Sequence, residues 1–178
     1  MLPLAGKPAH RSRPVSSHVR PQRTRTVPLS DFIRAAKLAT YAAQGDDATV
    51  RPLLPGSKQL EHRDGDHLYR DIYFGMLRFV GQEVVYAKEA PCWSMAYSGA
   101  IESTVARDDA RALYAFLRRA LLLAPQELPV RGPSSYVEGQ FRYTCLTRGS
   151  LAWFQGEEVI MLGGQPAYAL RFSGGSLG

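Results

Sequence analysis

Apolar and polar residues follow two rhythms along this chain, and their order predicts its elements. From Leu29 to Gly45, Phe32, Ile33, Ala36 and the Ala39–Tyr41 stretch recur at helical spacing. Ser30 or Asp31 is placed to cap that helix, because a short side-chain oxygen accepts a bond from a free first-turn N–H. Asp46 to Gly56 reads as a loop broken by Pro52, Pro55 and Gly56. After the turn signal Asp64-Gly65-Asp66 the period falls to two. His67 to Phe74 puts Tyr69, Asp71 and Tyr73 on one side of a strand. Leu77 to Tyr86 is a second strand, with a bulge or bend expected at Gly81. Pro91 to Ser98 is a third, with Trp93, Met95 and Tyr97 on one face and Cys92, Ser94 and Ala96 on the other. The helical period returns from Arg107 to Leu123, with Leu113, Phe116, Leu117, Ala120 and Leu121 as its apolar face. Asp108 and Asp109 suit its positive N-terminal end. Three strand-like segments follow, Gln140–Thr147, Leu151–Leu162 and Pro166–Ser173, with Gly149-Ser150 and Gly163-Gly164 at turns.

The second set of strands echoes the first. Gly81 to Gly99 aligns without gaps on Gly156 to Gly174, and six of the 19 positions are identical: Gly81, Glu83, Val84, Pro91, Ser98 and Gly99. Trp93, Met95 and Tyr97 align with Tyr168, Leu170 and Phe172, and these six are expected to form core beneath the helices. A single unit of this length does not cover both its helix and its sheet face. The expected fold is therefore α+β, with two α-β-β-β repeats (about residues 29–100 and 107–175) forming one antiparallel sheet. Two helices lie on one face, and a pseudo-two-fold relates the halves. Residues 28–178 make a single domain.

The chain's 178 residues suffice for one domain with a real core. No apolar run approaches the roughly 18–20 residues of a membrane helix, so no membrane role is expected. The net charge of +6 sits at one end. Lys7, Arg11, Arg13, Arg20, Arg23 and Arg25 come before any acidic residue, and the remainder carries 16 basic against 16 acidic side chains. Residues 1–27, rich in Pro and Arg and without apolar periodicity, are expected to be a disordered basic tail. The tail lacks the apolar stretch of a secretory signal. Its composition suits a transit peptide, its prolines do not, and an upstream start codon explains it equally well. Any nucleic-acid association would be weak and would run through Arg11, Arg13, Arg20, Arg23 and Arg25. Cys92 and Cys145 lie in no CxxC pair and read as reduced thiols of a cytoplasmic protein. His10, His18, His62 and His67 show no metal spacing. No cofactor is implied.

The candidate chemistry is carboxylate and aromatic. Glu83 and Glu158 hold matching positions after a glycine in each repeat, and paired carboxylates can bind a cation or move a proton. The plainer reading is a solvated charge or an arginine partner. Tyr69, Asp71 and Tyr73, matched by Tyr143, Cys145 and Thr147, line a ligand pocket or lie on an outer sheet face. Trp153 adjoins Phe154 in a strand, so one of the two must face away from the core, which makes Trp153 a candidate for a ligand or partner surface. No GxSxG, P-loop, GxGxxG or HExxH motif is present, so no catalytic residue is assigned.

The run Gly56-Ser57-Lys58, Leu60-Glu61, Asp64-Gly65, Tyr69-Arg70-Asp71, Tyr73, Gly75, Phe79 to Val85, Pro91 and Trp93 to Gly99 resembles the prokaryotic domain-of-unknown-function family DUF5680. The resemblance extends from about Leu29 to Gly174 and includes Trp153 to Glu158 and Phe172-Ser173-Gly174. Ala96 stands where the family typically has Asn, which weakens any polar role at that position. The resemblance carries no activity. It implies a sensing or interaction module, since some members accompany helix-turn-helix regulators of transcription. The expected function is therefore a binding or regulatory domain for an unknown small molecule or protein, with a groove at the repeat junction. The alternatives are a small enzyme using a groove carboxylate as general base, and nucleic-acid association through the tail. Oligomeric state stays open.

Overall fold

The computed structural model of the chain describes residues 27–44 and 50–178. Helix α1 (Leu29–Ala39) is followed by the single turn α2 (Tyr41–Gln44). Four strands come next: β1 (Lys58–Asp64), β2 (His67–Gly75), β3 (Arg78–Ala87) and β4 (Ala90–Ile101). Helix α3 (Arg107–Leu121) precedes β5 (Ser135–Glu138), β6 (Phe141–Ser150), β7 (Trp153–Leu162) and β8 (Gln165–Ser176). All eight strands join one antiparallel, open sheet in the order β1-β2-β3-β4-β8-β7-β6-β5.

Each half thus has four strands where three were expected. The additional strands, β1 and β5, are the two edges of the sheet. Edge strands are short or charged because an apolar edge invites pairing with other chains. Lys-Gln-Leu-Glu-His-Arg-Asp and Ser-Tyr-Val-Glu fit that description and give little apolar alternation to read.

The expected cap of α1 is also corrected. The helix starts at Leu29, with Pro28 at the cap position and no side-chain cap bond, so Ser30 and Asp31 lie inside the first turn. Proline, with φ already fixed, starts the helix, and Phe32 N–H donates to the Pro28 carbonyl at 3.0 Å. The bulge expected at Gly81 is absent. The ladder runs through Gly81, which faces Tyr73 on one side and Tyr97 on the other. The register shifts fall at Val85/Tyr86 and Ile160/Met161.

One core joins helices and sheet. Phe32, Ile33 and Ala36 of α1 and Leu113, Phe116 and Leu117 of α3 pack with Trp93, Met95, Tyr97, Tyr168, Leu170 and Phe172. The opposite face of the sheet carries exposed Val80, Leu146 and Trp153. The rings of His62 and His67 lie tilted against Phe32, with centroids 5.9 and 5.0 Å away. Cys92 and Cys145 are free, half-buried thiols. No helix among the described residues is long and apolar enough to cross a membrane. The arginines of the basic segment lie outside the described residues, while Val27 packs against the core.

Candidate functional site

The strand pattern that puts Tyr69, Asp71 and Tyr73 on one side of β2 turns them toward the helices, where all three are buried. Asp71 faces Glu83 directly across the β2–β3 ladder. Two acids opposite one another on a buried face repel, and burial disfavours both charges. Tyr97 of β4 relieves part of this. Its hydroxyl donates to Asp71 Oδ1 at 2.7 Å. To get there its ring crosses over Gly81, where a Cβ would lie 2.4 Å from Tyr97 Cζ and 2.7 Å from Tyr73 Cβ. Gly81 is therefore glycine because the Tyr97 ring occupies the space a side chain would need. Burial first, and the Glu83 charge second, push the Asp71 carboxyl up to about 7. The same causes raise the Tyr69 and Tyr97 phenols, by burial first and then by the two carboxylates.

Glu83 is answered from α1. Lys37 lies one turn after Ile33, on the helix's inward face, and its Nζ donates to Glu83 Oε1 at 2.8 Å and to the Val130 carbonyl at 2.7 Å. Nζ is also 2.7 Å from Oε2, but out of line for a second hydrogen bond. Oε2 is thus held by charge rather than by an in-line bond, and the buried Tyr69 hydroxyl interacts with the same carboxylate. Burial pulls the Lys37 ammonium below its usual range, and Glu83 opposes that.

Glu158 is arranged differently. Fully buried, it accepts from both Arg131 Nε, at 3.0 Å, and Arg131 Nη2, and from the hydroxyls of Tyr143 at 2.7 Å and Tyr168 at 2.8 Å. Burial alone would lower the Arg131 guanidinium, but the Glu158 carboxylate outweighs it and holds it well above its usual range. With both oxygens met, Glu158 has no capacity left for a ligand.

Between the two helices and the sheet lies a cavity of about 930 Å³. Tyr69, Asp71, Tyr73, Glu83 and Tyr97 line its floor, Phe79, Tyr168 and Leu170 its wall, and Lys37, Tyr41 and Tyr114 its helical side. Its volume suits a small organic molecule. The structure thus brings Tyr69, Asp71, Tyr73 and Glu83 together. It leaves Glu158 outside, in its own ion pair. It places Trp153 elsewhere, 72% exposed at the start of β7, while its neighbour Phe154 is fully buried.

Sequence reasoning missed Lys37, Arg131 and the α3 side chains Arg107, Arg111, Tyr114 and Arg118, all of which line the cavity. Lys37 was detectable as a cation on an apolar helix face, four residues after Ile33. The α3 set was detectable as a stripe at i, i+4, i+7 and i+11. Arg131 sits in a loop, where no periodicity points to it. Tyr97 reads as core, and its hydroxyl is what gives it chemistry. Ala96 faces away from the cavity, opposite Gln82 and Ser173. Among the described residues no His, Cys, Asp and Glu gather as a metal site.

A family model, Domain of unknown function (DUF5680), matches residues 71–177. No curated protein and no solved structure matches the chain.

Proposed function

The chain belongs to the DUF5680 family, and from that premise we propose that it is a binding domain for a small organic molecule held between the helices and the sheet. The observation that carries this is the cavity floor. There Asp71, bonded to Tyr97, and Glu83, paired with Lys37, sit among aromatic rings in a space of about 930 Å³. Hydrogen bonds to a charged carboxylate are stronger away from water than in it. A ligand that presents an N–H or O–H to Asp71 gains such a bond, while its apolar body covers the rings.

The two halves are, in this reading, copies of one helix-plus-strands unit related by a pseudo-two-fold, of which one copy keeps the site. Matching ladders support the duplication. Asp71 pairs with Glu83 as Cys145 pairs with Glu158, and the register shifts lie 75 residues apart. So do two reciprocal stacks, Trp93 on Phe154 at 5.6 Å and Tyr168 on Phe79 at 6.0 Å. Phe172 crosses Gly156 as Tyr97 crosses Gly81. In the second half Cys145 replaces Asp71 and Phe172 replaces Tyr97, so acid and hydroxyl are lost together. One ligand per chain follows.

The test is thermal unfolding of the full chain against metabolites bearing hydrogen-bond donors. Binding raises the midpoint by mass action. The rise should be largely lost in Asp71→Ala and kept in Trp153→Ala. A panel without a hit, or hits indifferent to Asp71, would refute the reading. A second reading, Asp71 as a general base, is favoured by its carboxyl standing near 7, the range a base needs at neutral pH. Consumption of a hit followed by NMR, and lost in Asp71→Asn, would establish it.

A further inference from the structure

Helix α3 breaks two local rules. Arg107 is its first residue, where the helix dipole disfavours a cation, and Arg111 repeats the charge one turn on, where like charges repel. Arg118 continues the same stripe, and Arg107, Arg111 and Arg118 all line the cavity. Among the described residues no ion pair engages any of the three. The contrast with the next residue is direct. Arg119 points away and forms a two-pronged pair with Glu138, at 2.9 and 2.6 Å. Of the acids buried around the cavity, Glu83 holds Lys37, Glu158 holds Arg131, and Asp71 accepts from Tyr97 on the floor with its carboxyl pushed up to about 7, so none of them forms an ion pair with the stripe. Asp109 lies around the helix from Arg107, and Asp108, three residues before Arg111 and within reach of it, forms no ion pair with it. A positive wall thus borders an aromatic cavity, and breaches of local preference of this kind collect at functional sites.

We propose that the molecule bound in this cavity is an anionic amphiphile, its oxyanion head held by Arg111 and Arg118 and its apolar body against Phe79 and Tyr97. The inference rests on the reading of the cavity as a binding site and adds the charge of the ligand. Guanidinium suits carboxylate, sulfonate and phosphate alike, because its paired N–H groups match two oxygens. The aromatic wall requires a body of rings or chain and excludes a bare inorganic anion as the full ligand.

The two can be told apart with a pair of dyes sharing one aromatic body. 8-Anilinonaphthalene-1-sulfonate carries a sulfonate, and N-phenyl-1-naphthylamine is its neutral counterpart. Fluorescence titration of the full chain at low salt should show the sulfonate binding about tenfold tighter, the scale of one charge-assisted hydrogen bond. Arg111→Ala/Arg118→Ala should abolish the preference while leaving the neutral dye's affinity unchanged. Arg111 is exposed and Arg118 partly exposed, so the double variant should fold, as circular dichroism would check. Equal affinity for the dyes, or a preference that survives the double variant, overturns the anionic head and leaves the binding reading intact. Absence of binding by both dyes, or a signal undiminished when Ala110→Trp fills the cavity, overturns both.

Discussion

Lys37 and Glu83 face each other under α1, with side chains only 13% and 4% exposed. Removing one partner of such a pair leaves a buried charge, at about 3–5 kcal/mol, whereas removing both is nearly neutral. Lys37→Met should therefore destabilise by roughly that amount in urea unfolding, and Lys37→Met/Glu83→Gln should recover most of it. Additive losses would mean that the two residues stabilise independently. Asp71 gives a pH signature. Its carboxyl is at about 7 in the fold against an ordinary 3.8, so the folded state holds the extra proton. Stability from this group is then fullest below the ordinary value, falls as pH rises to about 7 and stays low above it. The change is at most about 4 kcal/mol. Melting of Asp71→Asn against the parent chain between pH 4 and 8 should show the difference growing in favour of Asn across that window. A constant difference would contradict the raised value. Periodicity identified Tyr69, Asp71 and Tyr73 as sharing a face, and the alignment of Gly81–Gly99 on Gly156–Gly174 matched Glu83 with Glu158. It could not tell that the two glutamates have different company, because Lys37 and Arg131 arrive from a helix and a loop far away in sequence.

Hairpins β3–β4 and β7–β8 turn on the same backbone with different residues. Gly163 and Gly164 have φ of 56° and 84°, and Lys88 and Glu89 have φ of 49° and 70°. Two successive positive φ values are what a tight hairpin asks for, and a side chain there is strained. Lys88→Asn/Glu89→Gly should stabilise the chain by about 1 kcal/mol, read from its denaturation midpoint. No gain would mean that Lys88 and Glu89 hold compensating interactions. Strands in the middle of the sheet were legible because each has one buried face. Edge strands β1 and β5 were not, since exposure on the edge replaces apolar alternation with charge. The short break between α1 and α2 was hidden as well. Thr40, whose hydroxyl donates to the Ala36 carbonyl at 2.8 Å, is an unremarkable residue for a helix end.

At the scale of the molecule, helix-plus-strand order and a shared glycine and proline frame were enough to expect one antiparallel sheet with helices against it. The cavity was not readable, because it depends on how far the helices stand off the sheet, a distance that no spacing of residues along the chain reports. The strand order has one more implication. β4 pairs with β3, its neighbour in the chain, and with β8, which begins more than 60 residues later. While a ribosome makes α3 and β5–β7, β4 is the open border of a half-built sheet, with Trp93, Met95 and Tyr97 along it. That interval is when a second nascent chain competes for the same border. The sheet closes only when β8 docks, so folding becomes a race for that border between the chain's own strand and a neighbour's.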